Sequence, residues 1–229
     1  MTVYTEKPAV NLREELASLR NQGGYQEQQF YFDSLVTNGD FATNDLTGWT
    51  NTSTGTGSAD ASTGVLLLTT VDDSNAGAIV QELTTVAGAQ YVISFEAARS
   101  AGSANLLLDV GTSSGGAQIL NADAITTDGL YTYTFTATTT SSWIEFIAGS
   151  AGATWDIDNI SVFEVDANDD VIHTMPKGWK PKDFFEDGLL QREGAANDYE
   201  VVYDGFDYFV KPTVAPSATT QTCVIGVKA

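Results

Sequence analysis

Between residues 34 and 165 the chain offers only short runs of Val, Ile, Leu, Thr and aromatic residues, broken by turns rich in Gly, Asn, Asp and Ser. No apolar repeat of helical period interrupts them, so this stretch has to bury its side chains as β-structure. Candidate strands are 34 to 38, 65 to 70, 78 to 84, 90 to 98, 105 to 110, 130 to 137, 142 to 148 and 156 to 165. Two show the period-2 alternation of a half-buried strand: Tyr131, Tyr133 and Phe135 oppose Thr132, Thr134 and Thr136, and Ile93 and Phe95 oppose Ser94 and Glu96. Short strands at this spacing argue for an all-β, antiparallel sandwich of two sheets.

Charge divides the chain. Residues 31 to 165 carry fifteen acids and one base, Arg99, whereas 166 to 229 carry eleven acids and six bases. The shift places a boundary near Asp166, and three zones follow: an N-terminal anchor segment at 1–33, the sandwich at 34–166 and a small C-terminal β domain at 167–229. In the first zone Asn11 and Glu14 are spaced as a capping box, Leu12, Leu16 and Leu19 follow at i, i+4 and i+7, and Gly23-Gly24 supplies a stop. A helix of about eleven residues is marginal alone in water, so its leucine stripe needs cover. Its own β domain, a self-associated bundle or a larger particle are the alternatives. Residues 26 to 32 read as an extended connector. In the third zone Asp187-Gly188 and Asp204-Gly205 are hairpin signals, because both residue types tolerate positive φ.

With ten Lys and Arg against thirty Asp and Glu, the formal net charge is −20, and no stretch supplies a basic patch. Phosphate backbones and anionic headgroups are repelled, so neither nucleic acid nor a membrane is an expected partner. The start lacks a basic segment followed by an apolar run, and no window reaches the roughly 18 apolar residues of a membrane helix. A chain with no secretion signal of its own is the expectation. Cys223 is the sole cysteine and His173 the sole histidine, so no internal disulfide and no Cys/His zinc site is available.

The opening Leu35-Val-Thr-Asn38-Gly39-Asp40-Phe41 with Leu46-Thr-Gly48-Trp49, and the closing Trp155-Asp156-Ile157-Asp158-Asn159-Ile160-Ser161-Val162, resemble the two ends of the galactose-binding-like jelly roll of family 4/9 carbohydrate-binding modules. The resemblance spans about 130 residues and implies a jelly-roll sandwich. It also implies a structural calcium ion near the first and last strands, with Asn38, Asp40 and Asp158 as the matching residues. The alternative is that Asp158 and Asn159 simply hydrogen-bond the sheet edge. No other cofactor is expected. Residues 175 to 227, in the order Pro, Phe, Asp-Gly-Leu-Leu, Asp-Tyr, strand, Ala-Pro, Val-Ile-Gly-Val, resemble a small β module of tail-fibre, head-fibre and other virion proteins of tailed bacteriophages. The stretch beginning Lys7-Pro-Ala-Val-Asn-Leu resembles the leader of small phage structural proteins. Together these imply a virion component, a decoration, head-fibre or tail-fibre protein. Its partners are other virion proteins through Leu12, Leu16 and Leu19, in a homo-oligomer, by resemblance a trimer.

Sugar recognition needs an exposed aromatic platform and polar groups for the hydroxyls. Trp49 and Trp155 sit in the terminal signatures, where core packing is expected, and Tyr131, Tyr133 and Phe135 share one core-like face. Trp143 is the candidate platform, because Ile144 and Phe146 take the opposite, core-like parity. Host polysaccharide is therefore the alternative ligand-level reading. No catalytic constellation stands out: His173, the only imidazole, lies in a linker-like stretch with Cys223 the sole thiol, the acids Asp156 and Asp158 share one strand face, and Gly115-Gly116 lacks the Lys, Ser and helix of a phosphate loop. A non-enzymatic protein is the expectation.

Overall fold

A computed structural model describes residues 27 to 228 apart from 123, 150, 151, 169, 195, 196, 218 and 219. The expected helix carrying Leu12, Leu16 and Leu19 lies outside the described residues. Among the described residues there is no helix. The strands are β1 (Glu27–Tyr31), β2 (Thr50–Asn51), β3 (Ser58–Asp60), β4 (Leu66–Thr70), β5 (Ala78–Thr84), β6 (Gln90–Gly102), β7 (Leu106–Gly111), β8 (Leu120–Asn121), β9 (Gly129–Thr136), β10 (Ser141–Ala148), β11 (Ala153–Val165), β12 (His173–Thr174), β13 (Trp179–Glu186), β14 (Leu189–Leu190), β15 (Tyr199–Tyr203), β16 (Tyr208–Pro212) and β17 (Thr222–Lys228).

Strands β2 to β11 form the jelly-roll sandwich, two five-stranded antiparallel sheets ordered β2-β5-β10-β7-β8 and β3-β4-β11-β6-β9. Alternation dictates which side chains lie between them. In β6 Tyr91, Ile93, Phe95 and Ala97 are buried and Glu96 is exposed, and in β10 Ser142, Ile144, Phe146 and Ala148 point inward. Phe95 of one sheet meets Phe146 of the other edge-on, with ring centroids 4.8 Å apart. Each such buried side chain contributes roughly 1.5–3 kcal/mol of transfer free energy, and Leu66, Leu68, Ile79, Leu108, Trp155 and Ile157 complete the centre. Trp49 and Trp155 are core residues, Trp155 with its indole N–H donated to the Ala104 carbonyl at 2.9 Å.

Residues 34 to 38, expected as a strand, form a loop. Asn38 and Phe41 take φ of 53° and 49°, which bends the chain out of any ladder. In place of a neighbouring strand, the buried Gln81 side chain accepts from the Thr37 N–H at 2.7 Å and donates to the Thr37 carbonyl at 3.0 Å. The loop instead joins the two ends of the sandwich: Ile160 N–H donates to the Gly39 carbonyl, and Leu35 N–H to that of Val162. Ile160 follows a register shift in the β6–β11 pair where Asn159 adopts φ 54°, a bulge that turns the backbone toward Gly39.

The remaining strands form a second, smaller unit. Its four-stranded sheet is ordered β1-β17-β13-β14 and its three-stranded sheet β12-β16-β15. Between them lie Met175, Phe184, Tyr199, Val210 and Val224. The stretch expected as an extended connector is extended, and it pairs as β1 with β17, from Glu27 opposite Val227 to Tyr31 opposite Cys223. Both Asp-Gly pairs make hairpins. Asp187 and Gly188, at φ 48° and 76°, form a two-residue loop between β13 and β14. The second loop is longer, because the Asp204 carboxylate accepts from the N–H groups of both Phe206 and Asp207.

Candidate functional site

One cross-strand row traverses the whole β2-β5-β10-β7-β8 sheet. Register places Thr50, Val80, Glu145, Asp109 and Asn121 directly opposite one another, strand to strand. Glu145 has the parity of Trp143, opposite to the buried Ile144 and Phe146, so this row and Trp143 occupy the outer face. Five strands at about 4.8 Å spacing make the row roughly 19 Å long. Trp143 lies one step along β10, half-buried, between Glu82 on β5 and Gly111 on β7. Gly111 leaves its flank to backbone: a Cβ there would lie 2.3 Å from the Gly116 carbonyl oxygen, so the turn at 112–116 folds against the strand beside the indole.

The acids of this row are unusual for a surface. Glu145 is only 7% exposed, and Thr52 Oγ1 donates to its Oε1 at 3.3 Å. Burial raises its carboxyl above the usual range, the Thr52 hydrogen bond works against that, and the neighbouring Asp109 charge adds to the rise. Asp109, half-buried, is raised by burial as well. Arg99, the lone base of the 34–165 stretch, is on β6 of the other sheet. The face thus combines an aromatic plate, two partly desolvated acceptors and a terminal amide, with no cation beside them in the row.

A second hollow, about 490 Å³, opens on the outer face of the other sheet and is lined by Glu96, Asp128, Asp156, Asp158 and Leu130 among others. Asp158 is raised by burial first, with Glu96 and Asp40 adding to the rise while the Asn159 N–H, donated at 2.8 Å, opposes it. Asp40 and Asp158 are therefore electrostatic neighbours. Asn38 is committed elsewhere: its amide nitrogen donates to the Asp45 and Thr47 carbonyls and its Oδ1 accepts from Thr43 N–H. Among the described residues no three His, Cys, Asp or Glu side chains gather as a metal site. Of the three residues implied as calcium ligands, Asp40 and Asp158 act on one another electrostatically, while the Asn38 side chain is hydrogen-bonded within its own loop.

No family model matches the chain, and no curated protein matches it. Solved structures with a similar fold include carbohydrate-binding modules and a phage tailspike domain. A CBM4 module is 22% identical over 52% of this chain and 95% of its own, with a TM-score of 0.43. The N-terminal cellulose-binding domain of Cellulomonas fimi β-1,4-glucanase C is 21% identical over 58% of this chain and 98% of its own, at 0.43. The enzymatically active domain of bacteriophage CBA120 tailspike protein 4 is 17% identical over 58% of this chain and 21% of its own, at 0.45.

Of the residues singled out from sequence, Trp143 stands on the outer face of the sandwich, Asp158 lies on the opposite sheet within electrostatic reach of Asp40 in the 34–41 loop, and Asn38 closes its own loop. Leu12, Leu16 and Leu19 lie outside the described residues. Sequence reasoning missed Glu145, Asp109 and Asn121. The parity shared by Trp143 and Glu145 was a usable signal for the first, whereas the other two join it only through strand register. His173, set aside as a catalyst, is 3% exposed and stacks on Phe32 at 5.0 Å, between the sandwich and the small unit.

Proposed function

We propose that the sandwich binds an uncharged polysaccharide along the Thr50 to Asn121 row, without catalysing a reaction on it. The observation that carries this reading is the joint placement of Trp143, Glu145, Asp109 and Asn121 on one outer sheet face. Trp143 offers its ring to the apolar face of a sugar, and the two carboxylates and the Asn121 amide take the hydroxyl hydrogen bonds that fix orientation. Carboxylates are strong acceptors for hydroxyl donors. The same carboxylates, with no base beside them, disfavour uronate, sulfate or phosphate groups. A glycan array tests this: neutral glycans give signal that Trp143→Ala removes, and anionic glycans stay blank. An array on which only anionic glycans bind, or one unchanged by Trp143→Ala, contradicts it.

The setting we infer for this binding is the surface of a tailed-phage particle. The resemblance of residues 175 to 227 to virion fibre modules supports it, as do the exposed Leu189, Phe206 and Val214 of the small unit, side chains that a neighbouring virion protein would cover. A single aromatic plate gives weak affinity, and many copies on one particle would multiply it through avidity.

A further inference from the structure

Three of the six bases in residues 166 to 229 are neutralised where they stand: Lys182 pairs with Asp183, Arg192 with Asp198, and Lys211 with Asp166 and Asp170. The other three, Lys177, Lys180 and Lys228, are exposed, and none is ion-paired among the described residues. The fold gathers them at one end of the small unit. Trp179 N–H donates to the Pro176 carbonyl at 3.0 Å and Gly178 takes φ 81°, so Lys177 stands in a tight turn. Strand register sets Trp179 opposite Lys228 and Lys180 opposite Val227. The Lys228 amine lies 5.0 Å from the centre of the Trp179 ring, and a Cβ at Gly178 would be 3.8 Å from that amine. The Lys180 amine lies 6.0 Å from the centre of the Tyr208 ring. Ring contacts of this kind place an ammonium group without cancelling its charge. In a chain of net charge −20, three uncompensated cations around a half-buried tryptophan form a surface that attracts an acidic partner.

The sandwich carries the complementary chemistry, with fifteen acids against Arg99 in residues 31 to 165. On the outer face of its β3-β4-β11-β6-β9 sheet, register sets Asp158, Glu96 and Leu130 in one row, with Asp128 and Asp156 in the same hollow. Leu130 is 71% exposed there and gives the acids an apolar companion. We infer that the surface formed by Lys177, Lys180, Lys228 and Trp179 in one copy docks on this outer face of a second copy. Trp179 and Leu130 make the apolar contact, and the lysines and carboxylates close around it, the usual arrangement of an aromatic centre inside a polar rim. At about 0.15 M salt the Debye length is about 8 Å, so each lysine responds to the carboxylates facing it more than to the net charge of the whole neighbour. Every copy carries both surfaces, so the contact closes reciprocally in a dimer or head-to-tail around a ring. The face bearing Trp143, on the other sheet, stays free in either arrangement.

Charge exchange between two full-length variants tests the contact, with association followed by sedimentation velocity. One variant carries Lys180→Glu and Lys228→Glu, the other Glu96→Lys and Asp128→Lys, all four at exposed positions that leave the cores intact. The parent protein should associate at about 0.15 M salt and come apart at about 1 M, where the Debye length is about 3 Å. Each variant alone should associate at least roughly tenfold more weakly than the parent, because its two surfaces now carry like charge. An equimolar mixture of the two should regain association, since the new glutamates of one face the new lysines of the other. A parent protein that stays monomeric at about 0.15 M salt overturns the inference. So does a mixture that fails to regain what the separate variants lost. Monomeric parent protein that Lys180 and Lys228 hold on a heparin column overturns it as well and gives the lysines to a polyanion. None of these readouts involves a neutral glycan, so the contact stands or falls apart from the binding role.

Discussion

His173 shows how one side chain can tie stability to pH without any part in binding. It is buried among Phe32, Phe163 and Phe184, and its Nε2 has no hydrogen-bond partner among the described residues. Burial holds its pKa down at about 4, against an ordinary 6.5. The unfolded chain therefore takes up the proton first, and the stability tied to neutral His173 is lost as pH falls from 6.5 toward 4, by roughly 3 kcal/mol at the low end. Glu145, Asp109 and Asp158 work with the opposite sign: their raised folded-state values favour the folded form as pH falls through the range just above the ordinary carboxylate values. The difference between the parent and His173→Phe isolates the histidine. Phe keeps the ring stack and removes the orphan nitrogen, so urea unfolding at pH 7 should show a gain of about 1 kcal/mol. The gain should grow at pH 5. A gain that is the same at both pH values, or a loss at both, contradicts this account.

At the scale of elements, two glycines separate steric from conformational constraint. Gly39 closes the sandwich, and a Cβ there would lie 1.9 Å from the Ile160 carbonyl oxygen, a backbone atom fixed in β11. Gly188 has open space around it but sits at φ 76° in the β13–β14 hairpin. Gly188→Ala should cost about 1 kcal/mol by chemical denaturation, the ordinary expense of left-handed backbone for an L-residue. Gly39→Ala should cost roughly 3 kcal/mol, because the carbonyl cannot move without breaking the Ile160 to Gly39 hydrogen bond. Equal costs at the two sites would show that the loop gives way. What was legible in the sequence follows the same division. The alternation in 90–98 and 142–148 survives as β6 and β10, and the parity that sets Trp143 apart from Ile144 and Phe146 could be read without any partner strand. Strands β2, β3 and β8 have two or three residues, too few to show a period. The 34–38 run was apolar enough for a strand, but Asn38, Gly39 and the distant Gln81 make it a clamp. The Glu145–Asp109 pair depends on register between segments 36 positions apart, which no local pattern encodes.

In the molecule as a whole, stability is unevenly distributed. The sandwich packs a large continuous core, whereas the small unit encloses Met175, Phe184, Tyr199, Val210 and Val224. A core of that size contributes little on its own, so amides of β15 and β16 should exchange with solvent much faster than those of β6 and β11 when followed by hydrogen exchange. Equal protection in the two units would mean that they unfold as one. Charge follows a similar division: the sandwich carries nearly all of its charge as acid, and the row bearing Trp143 is part of that acidic surface. The central claim is that this row is where a glycan sits. Titration calorimetry with the neutral oligosaccharide that gives the strongest array signal tests it most directly, comparing the parent protein, Trp143→Ala and Asp156→Asn on the opposite sheet. The account predicts binding that weakens at least tenfold in Trp143→Ala, about 1.4 kcal/mol, and is unchanged in Asp156→Asn. Binding that survives Trp143→Ala and disappears in Asp156→Asn would contradict it and move the site to the other face.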